Sequence, residues 1–356
     1  MAISINHSAA KKLLEDTLLT ASFKDDEIGK DIELILRGTH KTYRYVLITG
    51  ILAKATEESA DALSIQAQDT SDGAYDARSL CHSVIVPFER QYLPESLGGS
   101  NEPYLNKPAR FPRISLDNAV RSGNDRDTLV RLKTTLERID SQEKAKIYLS
   151  SALATLKSIF LEIESKYSVD QELGSSNNTS QCILDYALRL LANSQEGETC
   201  AILVGTIEQL ANPAFKVVAH KVNESGASSK EVGDIDVFDG DTLVNSIEVK
   251  DKNFTKEDLE HAIKKFMAAG LTRTMFVYGH NTLFDKAEVY EQAAKYGEKG
   301  CYCCLIRIDE FIKLKLLSLP TTIGIGEFAQ SLLDMARAIN AKDETVEWIK
   351  TNLPDK

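Results

Sequence analysis

The 356-residue sequence predicts an α+β or α/β chain. A mainly helical N-terminal region leads into a mixed sheet flanked by helices in the C-terminal half. Three observations carry this expectation. Apolar residues recur at helical spacing through much of the first 166 positions. Strand-like runs gather between 215 and 250. Beyond 250, helical and strand patterns alternate, as they do when helices cover a sheet. The boundary is expected near 168/169, at the start of residues 169–180, the best linker candidate, which contain the Gly174–Ser180 stretch.

Taken in order, residues 8–20, 25–38 and 40–56 read as helices, the second from Ile28, Ile32, Ile35 and Leu36. Residues 76–123 are different. They hold five of the eight prolines, the tripeptide Gly98-Gly99-Ser100, and Arg78, Arg90, Lys107, Arg110, Arg113 and Arg121. So long an irregular stretch inside a compact protein is functional or disordered. Its aromatics Phe88, Tyr92, Tyr104 and Phe111 argue for order. Helical spacing returns over 126–139, 142–166, 181–194 and 198–211. Strands are expected at 215–220, 233–238 and 243–250. Thr255, with Asp258 three residues on, opens a helix over 256–269, and Gly270 stops it. A strand at 274–278, a helix over 284–297, a strand at 301–307 and mainly helix over 324–352 complete the reading.

The net charge of −11 argues against broad, nonspecific coating of nucleic acid, although a local basic cleft remains compatible with it. No apolar run approaches the length of a membrane span, and the N-terminus lacks a charged-then-apolar signal pattern, so a cytoplasmic protein is expected. Cys301-x-Cys303-Cys304 lacks the paired spacing of a zinc site; these thiols are expected reduced, as small apolar residues of a buried strand. His220 ends a strand near the candidate site, where packing is the stronger expectation.

The chemistry concentrates in residues 231–252. Ile247 and Val249 mark a buried strand, yet Glu248 and Lys250 interrupt it. A carboxylate and an ammonium stand where apolar side chains would pack at lower cost. Two apart, they share one face of the strand. Asp234 and Asp236 share a face of the preceding strand, and periodicity does not separate them. A tight hairpin at Asp239-Gly240 would set Asp236 opposite Leu243. Bringing Asp236 to Glu248 requires a wider loop through 239–245 or a bulge, and bulges are common beside active sites. The bland alternative is a hairpin with solvated acids. The order, the apolar flanks and the helix–strand sequel favour a site.

An Asp on one strand, Glu-x-Lys on the next, then a helix and a strand resembles the PD-(D/E)xK nuclease superfamily. The resemblance implies that Asp236 and Glu248 bind Mg²⁺ through carboxylate oxygens, with the Val249 carbonyl as a further ligand. Asp234 is then an accessory acid, and Lys250 orients the attacking water and offsets charge on the phosphate. Superfamily cores sometimes carry an acid on the first helix, for which Glu208 and Asp185 are both open.

Residues 73–123 carry a second resemblance. Gly73-Ala-Tyr-Asp-Ala-Arg-Ser-Leu-Cys-His82, Val86-Pro-Phe-Glu-Arg90, Leu97-Gly-Gly-Ser-Asn-Glu-Pro103, Leu105-Asn-Lys-Pro-Ala-Arg-Phe-Pro112 and Leu116-Asp-Asn-Ala-Val-Arg121 are similar to the SacI family of restriction endonucleases. That resemblance implies a restriction-endonuclease-like core and a Mg²⁺-dependent type II enzyme. It would act on a short palindrome in double-stranded DNA as a homodimer. Candidate DNA-contacting residues are Arg78, Asn101, Asn106, Lys107, Arg110, Arg113 and Arg121. Between 104 and 123, four cations stand against Asp117, a local inversion of the chain's charge that suits a phosphate-facing loop. Each arginine alone could equally pair with a nearby acid. Two other readings compete: a structure-specific or repair nuclease with the same core, and a non-catalytic DNA-binding subunit of a defence system. The large 73–123 segment speaks against the first, and the intact Asp, Glu and Lys speak against the second.

Overall fold

Burial on every side of one helix organises the N-terminal part of the chain. The computed structural model describes residues 3–66, 68–169, 179–192, 197–220 and 231–353. It divides into two units, Met1–Glu164 and Ser165–Lys356. The expected linker lies largely outside the described residues. Helices α1 (His7–Leu19), α2 (Glu27–Arg37) and α3 (Lys41–Thr56) form where the periodicity predicts them. α3 buries Tyr43, Tyr45, Leu47, Ile48, Ile51 and Leu52 around its circumference, the signature of a helix inside a core. α1 and α2 lay Leu14, Ile32, Ile35 and Leu36 into the same core.

The irregularity expected from 76 onward is only partly present. Residues 77–92 are helical: α4 (Ala77–Leu80), a π turn (Cys81–Ile85) and α5 (Val86–Tyr92). Pro87 sits inside this continuous helical run, directly after the π turn, the kind of local irregularity by which a helix accommodates a residue without an N–H. The π turn ends with Val86 N–H bonded to the Cys81 carbonyl. Beyond it the chain is irregular, with short 3-10 turns at 103–105, 107–109 and 116–118. Buried Glu89 gives this stretch its order. Its carboxylate accepts N–H groups of Leu97, Gly98 and Gly99 at 2.9–3.1 Å and the Tyr45 hydroxyl at 2.6 Å. Helices α6 (Asp125–Arg138) and α7 (Gln142–Lys166) close the unit.

The second unit holds α8 (Thr179–Leu191), α9 (Glu198–Ala211) and a five-stranded mixed sheet in the order β1-β2-β3-β4-β5. β1 (Lys216–Ala219), β2 (Ile235–Asp239) and β3 (Thr242–Lys250) are antiparallel neighbours. β4 (Arg273–Tyr278) and β5 (Tyr302–Arg307) continue parallel to β3. α10 (Lys256–Ala268) connects β3 to β4, and α11 (Lys286–Glu298) connects β4 to β5. α10 opens on the expected capping box of Thr255 and Asp258, and Gly270 ends it at φ +81°. These two helices cover one face of the sheet through Leu259, Ile263, Phe266, Phe276 and Val289. Ile235, on the other face, lies close to Gly205 of α9.

Helix α12 (Ile308–Leu316) was not legible in the sequence. It follows β5 directly from Arg307, without a side-chain cap to announce it. α13 (Ile325–Ala338) and α14 (Asp343–Thr351) occupy the region expected to be helical. Cys301 and Cys303 are buried at the start of β5 and Cys304 is half-buried; all three thiols are free. Among the described residues, no helix is long and apolar enough to cross a membrane.

Candidate active site

The β2–β3 hairpin decides which acids meet. Asp239 pairs with Thr242, leaving a tight loop in which Gly240 adopts φ +58°. Phe238 pairs with Leu243, but Val237 pairs with Asn245, so Val244 is one extra residue on β3. A bulge therefore forms, one of the two irregularities expected here, but it shifts the partners by one position without bringing Asp236 opposite Glu248. It sets Asp236 against Ser246 and Ile235 against Ile247. The ladder ends there, and Asp234, the next residue, lies beside the end of β3, where the Glu248 charge acts on it. Val249 N–H donates to Asp234 Oδ2 at 2.7 Å, and Lys250 Nζ lies 2.9 Å from Glu248 Oε1.

Asp234, Glu248 and Lys250 thus come together, and Asp236 does not join them. Burial raises the Asp234 carboxyl to about 6, with the neighbouring Glu248 charge acting in the same sense; Lys250 and Lys265 oppose them. Burial works against the charge of Lys250, but Glu248 and Asp234 outweigh it and hold the ammonium above its ordinary value. The site is a pair of like-charged carboxylates beside one cation, only partly neutralised by its own side chains. The Val249 main chain contributes its N–H to Asp234. Lys265 and Asp258, whose charges act on Asp234 and Lys250, stand on α10 two helical turns apart. The sequence signal for Lys265 was the Thr255 cap, which fixes the helix phase.

Asp236 is fully buried and surrounded by donors. Its Oδ1 accepts Ser246 Oγ at 2.6 Å and Gly233 N–H at 3.1 Å. Its Oδ2 accepts Val232 N–H at 3.1 Å and lies 2.9 Å from His220 Nε2. Burial disfavours the Asp236 charge, yet these four donors hold its carboxyl below the ordinary range. His220 is raised in turn, chiefly by its bond to Asp236. Of the two helical acids, Glu208 is buried on α9 against Lys315 at 2.6 Å, and Asp185 accepts from Gln181 at 2.8 Å on α8.

The basic segment of the first unit is more committed internally than its composition suggests. Arg113 is held by Asp61, by Ser71 at 2.9 Å and by Asp69 at 3.6 Å. Asn101 accepts from Arg90, and Arg78 lies 3.7 Å from Glu102. Asn106 Nδ2 donates to the Pro103 carbonyl at 3.1 Å, and Arg110 Nε to the Leu105 carbonyl at 2.6 Å. Lys107 and Arg121 are exposed, with no side-chain hydrogen bond or ion pair to any described residue.

Two family models match the chain in succession. The N-terminal domain of the SacI restriction endonuclease matches residues 9–163, and its C-terminal domain matches residues 176–280. The type II restriction enzyme SacI of Streptomyces achromogenes is 24% identical over 319 residues, spanning 88% of this chain and 86% of that enzyme.

Proposed function

The chain belongs to the SacI family of restriction endonucleases, and from that premise we propose that it is a Mg²⁺-dependent type II enzyme cutting a short palindrome in double-stranded DNA. The observation that carries the chemical part of this reading is the pairing of Asp234 with Glu248 beside Lys250. Two crowded carboxylates, one holding its proton up to about 6, call for an external cation. The donor set fits Mg²⁺, which takes one or two carboxylates and keeps the rest of its shell for water and phosphate. Among the described residues no group of three or more His, Cys, Asp and Glu gathers into a closed metal cage.

Asp234 and Glu248 would hold the ion. When bound, it supplies Lewis acidity and a water of lowered pKa. Lys250 stays protonated through its contact with Glu248 and the nearby Asp234 charge. It directs its N–H groups at the attacking water and at the charge building on the scissile phosphate. Val249 N–H fixes the Asp234 carboxylate against β3.

DNA contact falls to the 73–123 segment, with Lys107 and Arg121 leading because neither side chain has a hydrogen bond or ion pair to a described residue. Arg78, Arg110, Asn101 and Asn106 are exposed or half-buried, and each commits only some of its polar atoms to local partners, so each keeps groups to offer DNA. Arg113, tied to two aspartates, supports the segment instead. A palindromic site is most simply read by a two-fold assembly, so a homodimer in the cytoplasm completes the reading.

The test is incubation of the purified protein with unmethylated phage DNA and Mg²⁺, with an EDTA control, and sequencing of the ends. Discrete metal-dependent fragments sharing one palindrome are expected. A smear, or degradation from ends, would replace this reading with a nuclease lacking site specificity.

A further inference from the structure

We infer that Asp236, His220 and Ser246 form a positioning network that presents Asp234 to the metal, a role that rests on Asp234 and Glu248 being the ligands. Asp236 has no solvent exposure, and its two oxygens already receive four donors. Two of those donors, the N–H groups of Val232 and Gly233, immediately precede Asp234 in the chain. Their bonds fold the backbone back onto β2 just before it reaches Asp234.

His220, the residue that follows β1, holds the same residues from that side. Its ring meets Asp236 at 2.9 Å, and its own N–H donates to the Asp234 carbonyl at 2.8 Å. Ser246 holds them from β3. Its hydroxyl donates to Asp236, and its carbonyl accepts Thr274 Oγ1 at 2.7 Å, tying the network to β4. Gly233 completes the fit, because a Cβ there would lie against Ser246 Oγ and 2.8 Å from the Ile247 carbonyl. Asp234 is thereby fixed at its main chain by His220 and at its carboxylate by Val249. Groups that orient a metal-binding residue commonly contribute about 10–100-fold to metal affinity.

The experiment uses the full-length protein without DNA and reads the Mg²⁺ concentration that half-maximally raises the thermal unfolding midpoint. His220 is half-buried, so its variants are expected to fold. His220→Leu removes the ring donor and is expected to raise that Mg²⁺ concentration about 10-fold or more. His220→Gln, which restores an N–H toward Asp236, is expected to return it toward the parent value. Metal-free DNA affinity should stay unchanged in both. Two results would overturn the inference. If His220→Leu lowers the unfolding midpoint but leaves the Mg²⁺ response where it was, the network serves folding alone. If His220→Leu tightens Mg²⁺ binding, Asp236 is itself a ligand that His220 restrains. Asp234→Asn and Glu248→Gln serve as a separate control. An intact Mg²⁺ response in both would defeat the assignment of the ligand pair, whatever His220 does.

Discussion

Glu89 and Asp234 are both carboxylates drawn away from solvent, one in each unit, and they are treated in opposite ways. Glu89 is met by three main-chain N–H groups and a tyrosine hydroxyl, so burial leaves it fully served. Asp234 receives the Val249 N–H and faces another carboxylate. A saturated buried acid organises its own chain; an under-served one beside a like charge is built for something outside the chain. The same contrast separates Asp236 from Asp234, only two residues apart.

The largest expected effect tests the reactive side of this contrast. Lys250→Ala should lower single-turnover cleavage about 10²–10³-fold while metal-free DNA binding holds; a parallel loss of both would remove Lys250 from the chemistry. On the saturated side, Glu89→Ala strands three N–H groups and the Tyr45 hydroxyl. It should lower unfolding stability by about 3–5 kcal/mol in a denaturant titration, and a change within error would mean that the loop orders itself.

A smaller effect has an unusual sign. The folded Asp234 carboxyl keeps its proton to about 6, whereas an unfolded aspartate releases it near 4. The folded state therefore binds more protons between those values, and stability falls as pH rises through that window. Asp234→Asn should abolish cleavage and yet stabilise the metal-free protein by about 1–2 kcal/mol above pH 6. Equal stability of the two proteins at pH 7 would show that Asp234 is not held under electrostatic stress. The smallest effect concerns the free cations: Lys107→Ala should reduce the slope of log affinity against log salt by about 1, uniformly across DNA sequences. An unchanged slope would take Lys107 off the phosphate backbone.

Much of this architecture was legible in the sequence because periodicity is local. Ile28, Ile32, Ile35 and Leu36 face one core, and Thr255 with Asp258 starts α10. What escaped depends on partners distant in sequence or on single extra residues. Nothing local marks Val244 as the bulge that sets Asp236 against Ser246 and not against Glu248. The ion pairs of Arg113 with Asp61 and Asp69 were not legible because both aspartates lie more than forty positions upstream. Pro87, alone within 77–92, concealed that helix, since a proline that a helix accommodates and one in a loop look alike without the register.

Gly233 carries a consequence for genetics. It has no reactive atom and no charge, and its contribution is empty space over Ser246 and Ile247. On the proposed assignment, a selection for chains that no longer cut DNA would nevertheless return substitutions at 233 beside those at 234, 248 and 250. Ranked by phenotype alone, a missing methyl group would pass for a member of the catalytic set.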